Sequence, residues 1–279
     1  MTRPTHPLQG DRKELMELWR ELFPEDADGW CELYFDRMYA PERCYVLRNK
    51  TAIETVVHIM DGYYRDADGT EKKLAYLFAV GTRARFRGKN NLKRMLKHLR
   101  DLLPDEGYSC MSCISLDELV GLYDSAGALR LPAMYEYEPE PVQTGSEFRL
   151  CGFDDYLRLR RRYLDEIGGV WFDESTERFL FEDICACGEV LMCGKADDER
   201  YAVCVKSGDD MIVLETNMDD LDGLAAELIR RFAPRGSVLI YSCKPMAYEK
   251  CREIYYGHII TCAGEDKHVR SLYVNPLTL

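Results

Sequence analysis

Residues 73–103 restrict most tightly what this chain can fold into. They open with Leu74-Ala75-Tyr76-Leu77-Phe78-Ala79-Val80, an unbroken apolar run of strand length. Such a run predicts a strand buried on both faces, in the middle of a sheet. Residues 81–89 follow as a basic turn containing Gly81 and Gly88. Leu92, Met95, Leu96, Leu99, Leu102 and Leu103 then recur at helical spacing, with Lys93, Arg94, Lys97 and Arg100 on the opposite face. The first turn of a helix has backbone N–H groups without partners, and the helix dipole adds partial positive charge there. A helix entered through a basic turn therefore suits an anion such as a pyrophosphate. Arg85, Arg87 and Lys89 raise the local potential in a chain whose net charge is −12. The competing reading is an ordinary crossover whose basic helix face is simply solvated.

The run Arg87-Gly88-Lys89-Asn90-Asn91-Leu92 resembles the coenzyme A loop of the GNAT acetyltransferases, whose pattern is Arg/Gln-x-x-Gly-x-Gly/Ala. Val80-Gly81-Thr82 and Phe86 are similar to the strand-to-loop passage of that family. Asn90 stands at the family's central glycine, and asparagine enters the left-handed backbone region more readily than most residues. Leu92 stands at the last small position, as in the two-lobed, Eis-like branch. The resemblance implies acetyl-CoA as co-substrate. Arg87, Gly88, Lys89, Asn90, Asn91 and Leu92 would hold its pyrophosphate, and Phe78, Ala79, Val80 and Thr82 would lie along its pantetheine arm.

Two further observations bound the class. At 279 residues the chain has room for two domains. It has no apolar run of membrane-spanning length and no hydrophobic signal core at its start, so a cytoplasmic location without membrane association is expected. A pI near 5.0 argues against nucleic-acid binding. Among the 12 cysteines, Cys110 and Cys113 form the only C-x-x-C, and they sit in a strand-like run whose alternation separates their side chains. Reduced, buried thiols are expected, with no metal site.

Taken in order, the first half predicts a helix over 11–23 with Asp11 as its cap. A second helix over 28–38 has Trp30, Leu33, Tyr34 and Met38 as its apolar stripe. Strands follow over 44–48 and 55–60, then the central strand and long helix. A strand over 108–115, a short helix over 116–125 and a last strand over 131–137 complete a mixed α/β domain of residues 1–138. This order is similar to that of a GNAT domain. Leu122-Tyr123-Asp124-Ser125-Ala126-Gly127-Ala128 is similar to the family's late segment, so the resemblance implies Tyr123 as the general acid toward the departing thiolate. The plain alternative for Tyr123 is a core tyrosine on an amphipathic helix.

Residues 139–146, with two prolines and a glycine, read as a linker to a second domain over 147–279. That half predicts a strand, two helices, three strands, a helix over 221–232 and a strand over 238–242. Two closing strands, over 255–262 and 269–274, would finish its sheet. Arg158 and Arg160 to Arg162 read as a solvated basic face. Between strand and helix this half carries Asp219, Asp220 and Asp222, which would repel a pyrophosphate. The fold expected is thus α/β of the α+β type: two tandem GNAT-like lobes, each a mixed central sheet flanked by helices, the second without a coenzyme site.

The resemblance implies an N-acetyltransferase acting on a primary amine of a small molecule or peptide. A non-catalytic coenzyme A-binding sensor or structural protein is the alternative. His58, Glu54 and Asp61 are candidate bases, and the sequence does not choose among them. A homo-oligomer is compatible with everything above.

Overall fold

The computed structural model of the protein describes residues 3–24, 26, 29–195, 198–243, 251–254, 257–262 and 268–275. The first part of the chain forms α1 (Arg12–Leu22), α2 (Trp30–Arg37), β1 (Cys44–Arg48), β2 (Ile53–Arg65), β3 (Glu71–Thr82), α3 (Asn91–Leu102), β4 (Tyr108–Cys113), α4 (Val120–Ser125) and β5 (Leu129–Arg130). The remainder forms β6 (Met134–Tyr137), β7 (Arg149–Leu150), α5 (Phe153–Ile167), β8 (Trp171–Phe172), α6 (Glu174–Cys187), β9 (Gly188–Cys193), β10 (Arg200–Ser207), β11 (Asp210–Thr216), α7 (Leu221–Phe232), β12 (Val238–Ser242), β13 (Cys251–Ile254) and β14 (His258–Thr261). None of the described helices is long and apolar enough to cross a membrane.

Two compact units result. One joins Met1–Arg130 to Gly257–Arg270; the other joins Leu131–Tyr256 to Ser271–Leu279. The sheet of the first unit runs β1-β2-β3-β4-β14-β5, and that of the second runs β13-β6-β12-β11-β10-β9-β7. Both are mixed: β3 and β4 are parallel, as are β11 and β12, among antiparallel neighbours.

The apolar run of residues 74–80 does lie mid-sheet, and β3 extends past it at both ends. Leu74 and Ala75 are fully buried on opposite faces. The helical spacing places Met95, Leu96 and Leu99 of α3 in the first core, beside Ala75, Leu77 and Met111. At the far end of β3, the site of a Cβ on Gly81 lies 2.3 Å from Leu22 Cδ1 of α1. Only glycine allows α1 so close to the strand.

The boundaries differ from those expected. Residues 131–137 do not close the first sheet, because β6 pairs with β12 and β13 in the second. The place beside β4 is taken by β14, which also pairs with β5. Ile259 and Ile260 of β14 face opposite sides and are both buried, which an interior strand position provides. The division therefore falls after Arg130 rather than at 139–146, and the second unit does not run unbroken to the end of the chain. Residues 255–256 of the expected closing strand lie outside the described residues, and 268–271 form a 3₁₀ turn.

Three local expectations change for electrostatic or packing reasons. Asp11 stands at the N-cap of α1 but makes no cap bond; its carboxylate pairs with Arg48 and accepts from the Leu8 N–H. The buried face of α2 is Cys31, Tyr34 and Phe35, while Leu33 is turned outward; Asp28, its expected start, lies outside the described residues. Arg160 is not on a solvated face but 1% exposed. Its Nε donates to Glu215 Oε1 at 2.8 Å, its Nη1 to Glu177 Oε1 at 2.5 Å and its Nη2 to the Asn275 carbonyl at 2.6 Å. Tyr156 and Tyr201 hydroxyls donate to the same two carboxylates. The two glutamates make a buried cation tolerable, and the cation does the same for them.

His58 on β2 is 1% exposed. The rings of Trp19, Tyr34, Phe35 and Tyr39 surround it at centroid distances of 5.3–6.0 Å, and among the described residues its Nδ1 has no hydrogen-bond partner. Burial pushes its pKa down to about 3. The unfolded chain takes up this proton below its ordinary value of about 6.5, while the folded chain does not, so stability is full above that pH and is lost as pH falls toward 3. Between pH 6.5 and 5 the loss from this group alone comes to about 2 kcal/mol. His58→Phe keeps the ring and removes the titration. Denaturant melts at pH 7 and pH 5 should show the wild type losing about 2 kcal/mol more than the variant. Parallel losses would show that His58 plays no such part.

Candidate functional site

The site begins where β3 and β4 part. Their ladder pairs Lys73 with Tyr108 and ends at Tyr76 with Ser112. Among the described residues, β3 continues to Thr82 with only β2 beside it. Against β2, His58 faces Phe78 and Val56 faces Gly81, so β3 carries one extra residue between these pairs. The extra residue is accommodated by Ala79, whose φ of 45° is uncommon for a residue with a side chain. Such a bulge re-aims the backbone groups of its strand. Phe78, Ala79, Val80 and Thr82 are all half-buried, and their backbone edge faces the gap between the diverging strands.

The gap leads to the basic turn. Gly88 has φ +75° and Asn90 φ +58°, two left-handed residues two positions apart that swing the chain into α3. Nothing lies within 4 Å of where a Cβ on Gly88 would be. Asn90 occupies the N-cap without making a side-chain cap bond. Among the described residues no acceptor meets the backbone N–H of Gly88, Lys89 or Asn90. These donors, with those of the first turn of α3, are chemically suited to phosphate oxygens.

The basic side chains divide into two groups. Arg83 is engaged by Glu14 and Glu21, and its Nε donates to the Ile53 carbonyl. Arg87 donates from Nε to the Thr82 carbonyl at 3.1 Å, bracing the turn. Arg85 and Lys89 are exposed and lie against the Phe86 ring, at 4.8 and 5.1 Å from its centroid. Asn91 is 4% exposed, and its Nδ2 donates to Glu54 Oε2 at 2.9 Å, so its side chain anchors the start of α3. Leu92 packs against the first core. Of the loop residues singled out in the sequence, Gly88, Lys89 and Asn90 present backbone donors. Arg87, Asn91 and Leu92 hold the turn in shape.

Tyr123 lies in the first core together with Leu77 of β3 and Cys113 of β4. It is 3% exposed, on the six-residue helix α4. Burial pushes up the thiol of Cys113, the last residue of β4, and the neighbouring Tyr123 hydroxyl opposes that shift. The Tyr123 ring stacks on His258 of β14, centroids 5.1 Å apart and planes 27° apart. His258 Nε2 lies 3.1 Å from Asp124 Oδ1, and Asp124 pairs with Arg130 at 2.7 Å. Sequence reasoning missed His258, since it lies over 130 positions from the residues it meets.

The candidate bases are engaged elsewhere. Glu54 accepts from both Asn49 and Asn91. Asp61 takes the Tyr108 hydroxyl at 2.5 Å and pairs with Lys73 at 3.2 Å, opposite Ala75. His58 lies under the aromatic layer already described.

The second unit repeats the divergence and closes it. β11 and β12 pair only from Met211–Val238 to Val213–Ile240. Beyond, the Leu214 carbonyl accepts from Asn275 Nδ2 at 2.9 Å, so the chain's own late residues occupy that edge. At the N-cap of α7, Asp220 accepts from the Gly223 N–H at 2.9 Å and from the Thr144 and Ser146 hydroxyls at 2.6 Å each. Burial works against its charge, yet the bonds from Ser146, Thr144 and Gly223 outweigh it and hold the carboxyl below its ordinary range. A carboxylate of the chain already fills the anion position there.

No protein-family model matches the sequence, and no curated protein matches it significantly. Solved structures do match in fold. A GCN5-related N-acetyltransferase from Anabaena variabilis superposes with TM-score 0.73 at 12% identity, covering 94% of this chain and 73% of that one. Eis1 from Mycobacterium abscessus gives TM-score 0.62 at 10% identity, covering 94% and 74%. A tandem GNAT protein from the clavulanic acid biosynthesis pathway gives TM-score 0.54 at 11% identity, covering 95% and 99%. The similarity extends over nearly the whole chain, both mixed sheets included: it has the fold of the tandem, Eis-like GNAT acetyltransferases.

Proposed function

We propose that this protein is an N-acetyltransferase that moves the acetyl group of acetyl-CoA to a primary amine of a small molecule or peptide. The observation that carries the reading is the end of the β3–β4 ladder at Tyr76 and Ser112, with β3 running on toward donors at Gly88, Lys89 and Asn90 that no acceptor meets among the described residues. The donor set fits a pyrophosphate, and the unpaired edge of Phe78 to Val80 fits the amide groups of a pantetheine arm as an added strand would. When bound, acetyl-CoA supplies the thioester. A backbone N–H at the bulge would polarise its carbonyl as the amine attacks, and Tyr123 would deliver a proton to the sulfur as the carbon–sulfur bond breaks. The second unit, its gap and its helix N-terminus occupied by its own residues, takes no coenzyme.

Two measurements test this. Thiol release from acetyl-CoA should appear with at least one member of a panel of amines, such as spermidine, kanamycin and a lysine-containing peptide. Tight coenzyme binding with no turnover on any amine would instead identify a binding protein. Calorimetry should give one acetyl-CoA per chain. Replacing both Asp219 and Asp220 with asparagine should change its affinity by less than about twofold, since the acidic loop lies outside the site. A second binding event, or a large change in affinity on that replacement, would defeat the one-site reading.

A further inference from the structure

We infer that His258 is a positioning residue for Tyr123, holding the phenol near the end of β4 through a clamp on α4. The inference rests on Tyr123 acting as the acid. It begins with the length of α4. Six residues make fewer than two turns, and a helix so short has little stability of its own. What fixes Tyr123 must therefore come from outside α4.

The fixing parts arrive with β14. His258 is fully buried and lies across from Cys113 in the ladder with β4. Its carbonyl accepts from Ser112 Oγ at 2.8 Å, a bond buried between the two strands. The imidazole thus stands on a rigid base. From there it contacts two consecutive residues of α4 in different ways. Its face supports the Tyr123 ring, and its Nε2 meets Asp124 Oδ1. Since the acceptor is a carboxylate, Nε2 carries the hydrogen and donates it. Arg130 pairs with Asp124, completing a chain of contacts from β5 through α4 to β14.

This arrangement restricts what each member can do. Burial lowers the pKa of His258 although Asp124 opposes the shift, so the ring is neutral near pH 7. Its donor is spent on Asp124, and it lies behind Tyr123, so it does not touch the reacting sulfur. Its effect must pass through the tyrosine. Rotation of the phenol by a fraction of an ångström at the hydroxyl is enough to spoil proton delivery. Acetyl-CoA binding, which depends on the edge of β3 and the turn at Gly88, should not respond.

The test uses the full chain, with acetyl-CoA and the amine panel named above, and thiol release in buffer alone as a second readout. His258→Ala should lower kcat about tenfold and leave KM for acetyl-CoA within about twofold. His258→Gln, whose amide can reach Asp124, should recover part of that loss. In a Tyr123→Phe background, His258→Ala should cost nothing further, because both changes remove the same proton delivery. Asp124→Ala, at a 37% exposed side chain, carries the same expectation should His258→Ala not fold. An additive loss in the Tyr123→Phe background, or a matching rise in KM, would overturn the positioning role while sparing the acid. Tyr123→Phe at the wild-type rate would overturn the acid assignment itself, and so would a wild-type chain that releases no thiol in either assay.

Discussion

Gly88→Glu is expected to abolish acetyl-CoA binding, raising Kd by a hundredfold or more in calorimetry. Two effects act together. The residue has φ +75°, where a side chain costs about 1–2 kcal/mol. Relief of that strain would turn the Gly88 N–H away from its present direction. The new carboxylate would also stand beside the donors of Lys89 and Asn90, repelling the phosphates and offering them an intramolecular substitute. The second unit already displays this outcome, with Asp220 seated at the N-terminus of α7. Folding should survive, since among the described residues nothing beyond the chain neighbours lies within 4 Å of the new Cβ and the residue is exposed. Gly88→Ala separates the effects, because it brings the backbone strain without the charge and should lose less. Unchanged affinity in Gly88→Glu would remove the phosphate from this turn.

Tyr123→Phe should lower kcat by about a hundredfold or more while acetyl-CoA affinity stays within about twofold. A thiolate departs more readily once a proton reaches it, and a positioned phenol can supply one where water is excluded. The substitution keeps the ring, its stacking on His258 and its place in the first core. It removes only the hydroxyl, beside the Cys113 thiol. Turnover untouched here, with binding abolished in Gly88→Glu, would leave the coenzyme turn in place and move the acid elsewhere.

Much of the first unit was legible because its signals are local. The unbroken run at 74–80 marks an interior strand, and the spacing of Met95, Leu96 and Leu99 marks a helix with one buried face. Gly88 and Asn90 are residue types that accept positive φ, and both adopt it. Elements of the second unit were legible for the same reason: α7 spans Leu221–Phe232 as its spacing predicts. Asp11 shows where local reasoning misleads. Its type and position suit a cap, but Arg48, 37 residues away, offers its carboxylate a stronger partner. Arg160 reads as part of a solvated basic run until Glu177 and Glu215 are brought to it.

By itself, then, the sequence determined the strand–turn–helix unit, its left-handed entry into α3 and the acidic character of the matching turn in the second half. These depend on backbone preference, side-chain period and charge within about a dozen residues. Tertiary structure alone decided which sheet each strand joins, sending β6 into the second and β14 back to the first. It also set His258 behind Tyr123, placed Asn275 on the open edge of β11 and committed Arg83 of the basic turn to Glu14 and Glu21. Short strands of similar apolar content can each pair with several others, and a charged side chain can face water or a buried counter-charge. What settles both is the burial available once the whole chain has closed around its cores, a quantity no single segment contains.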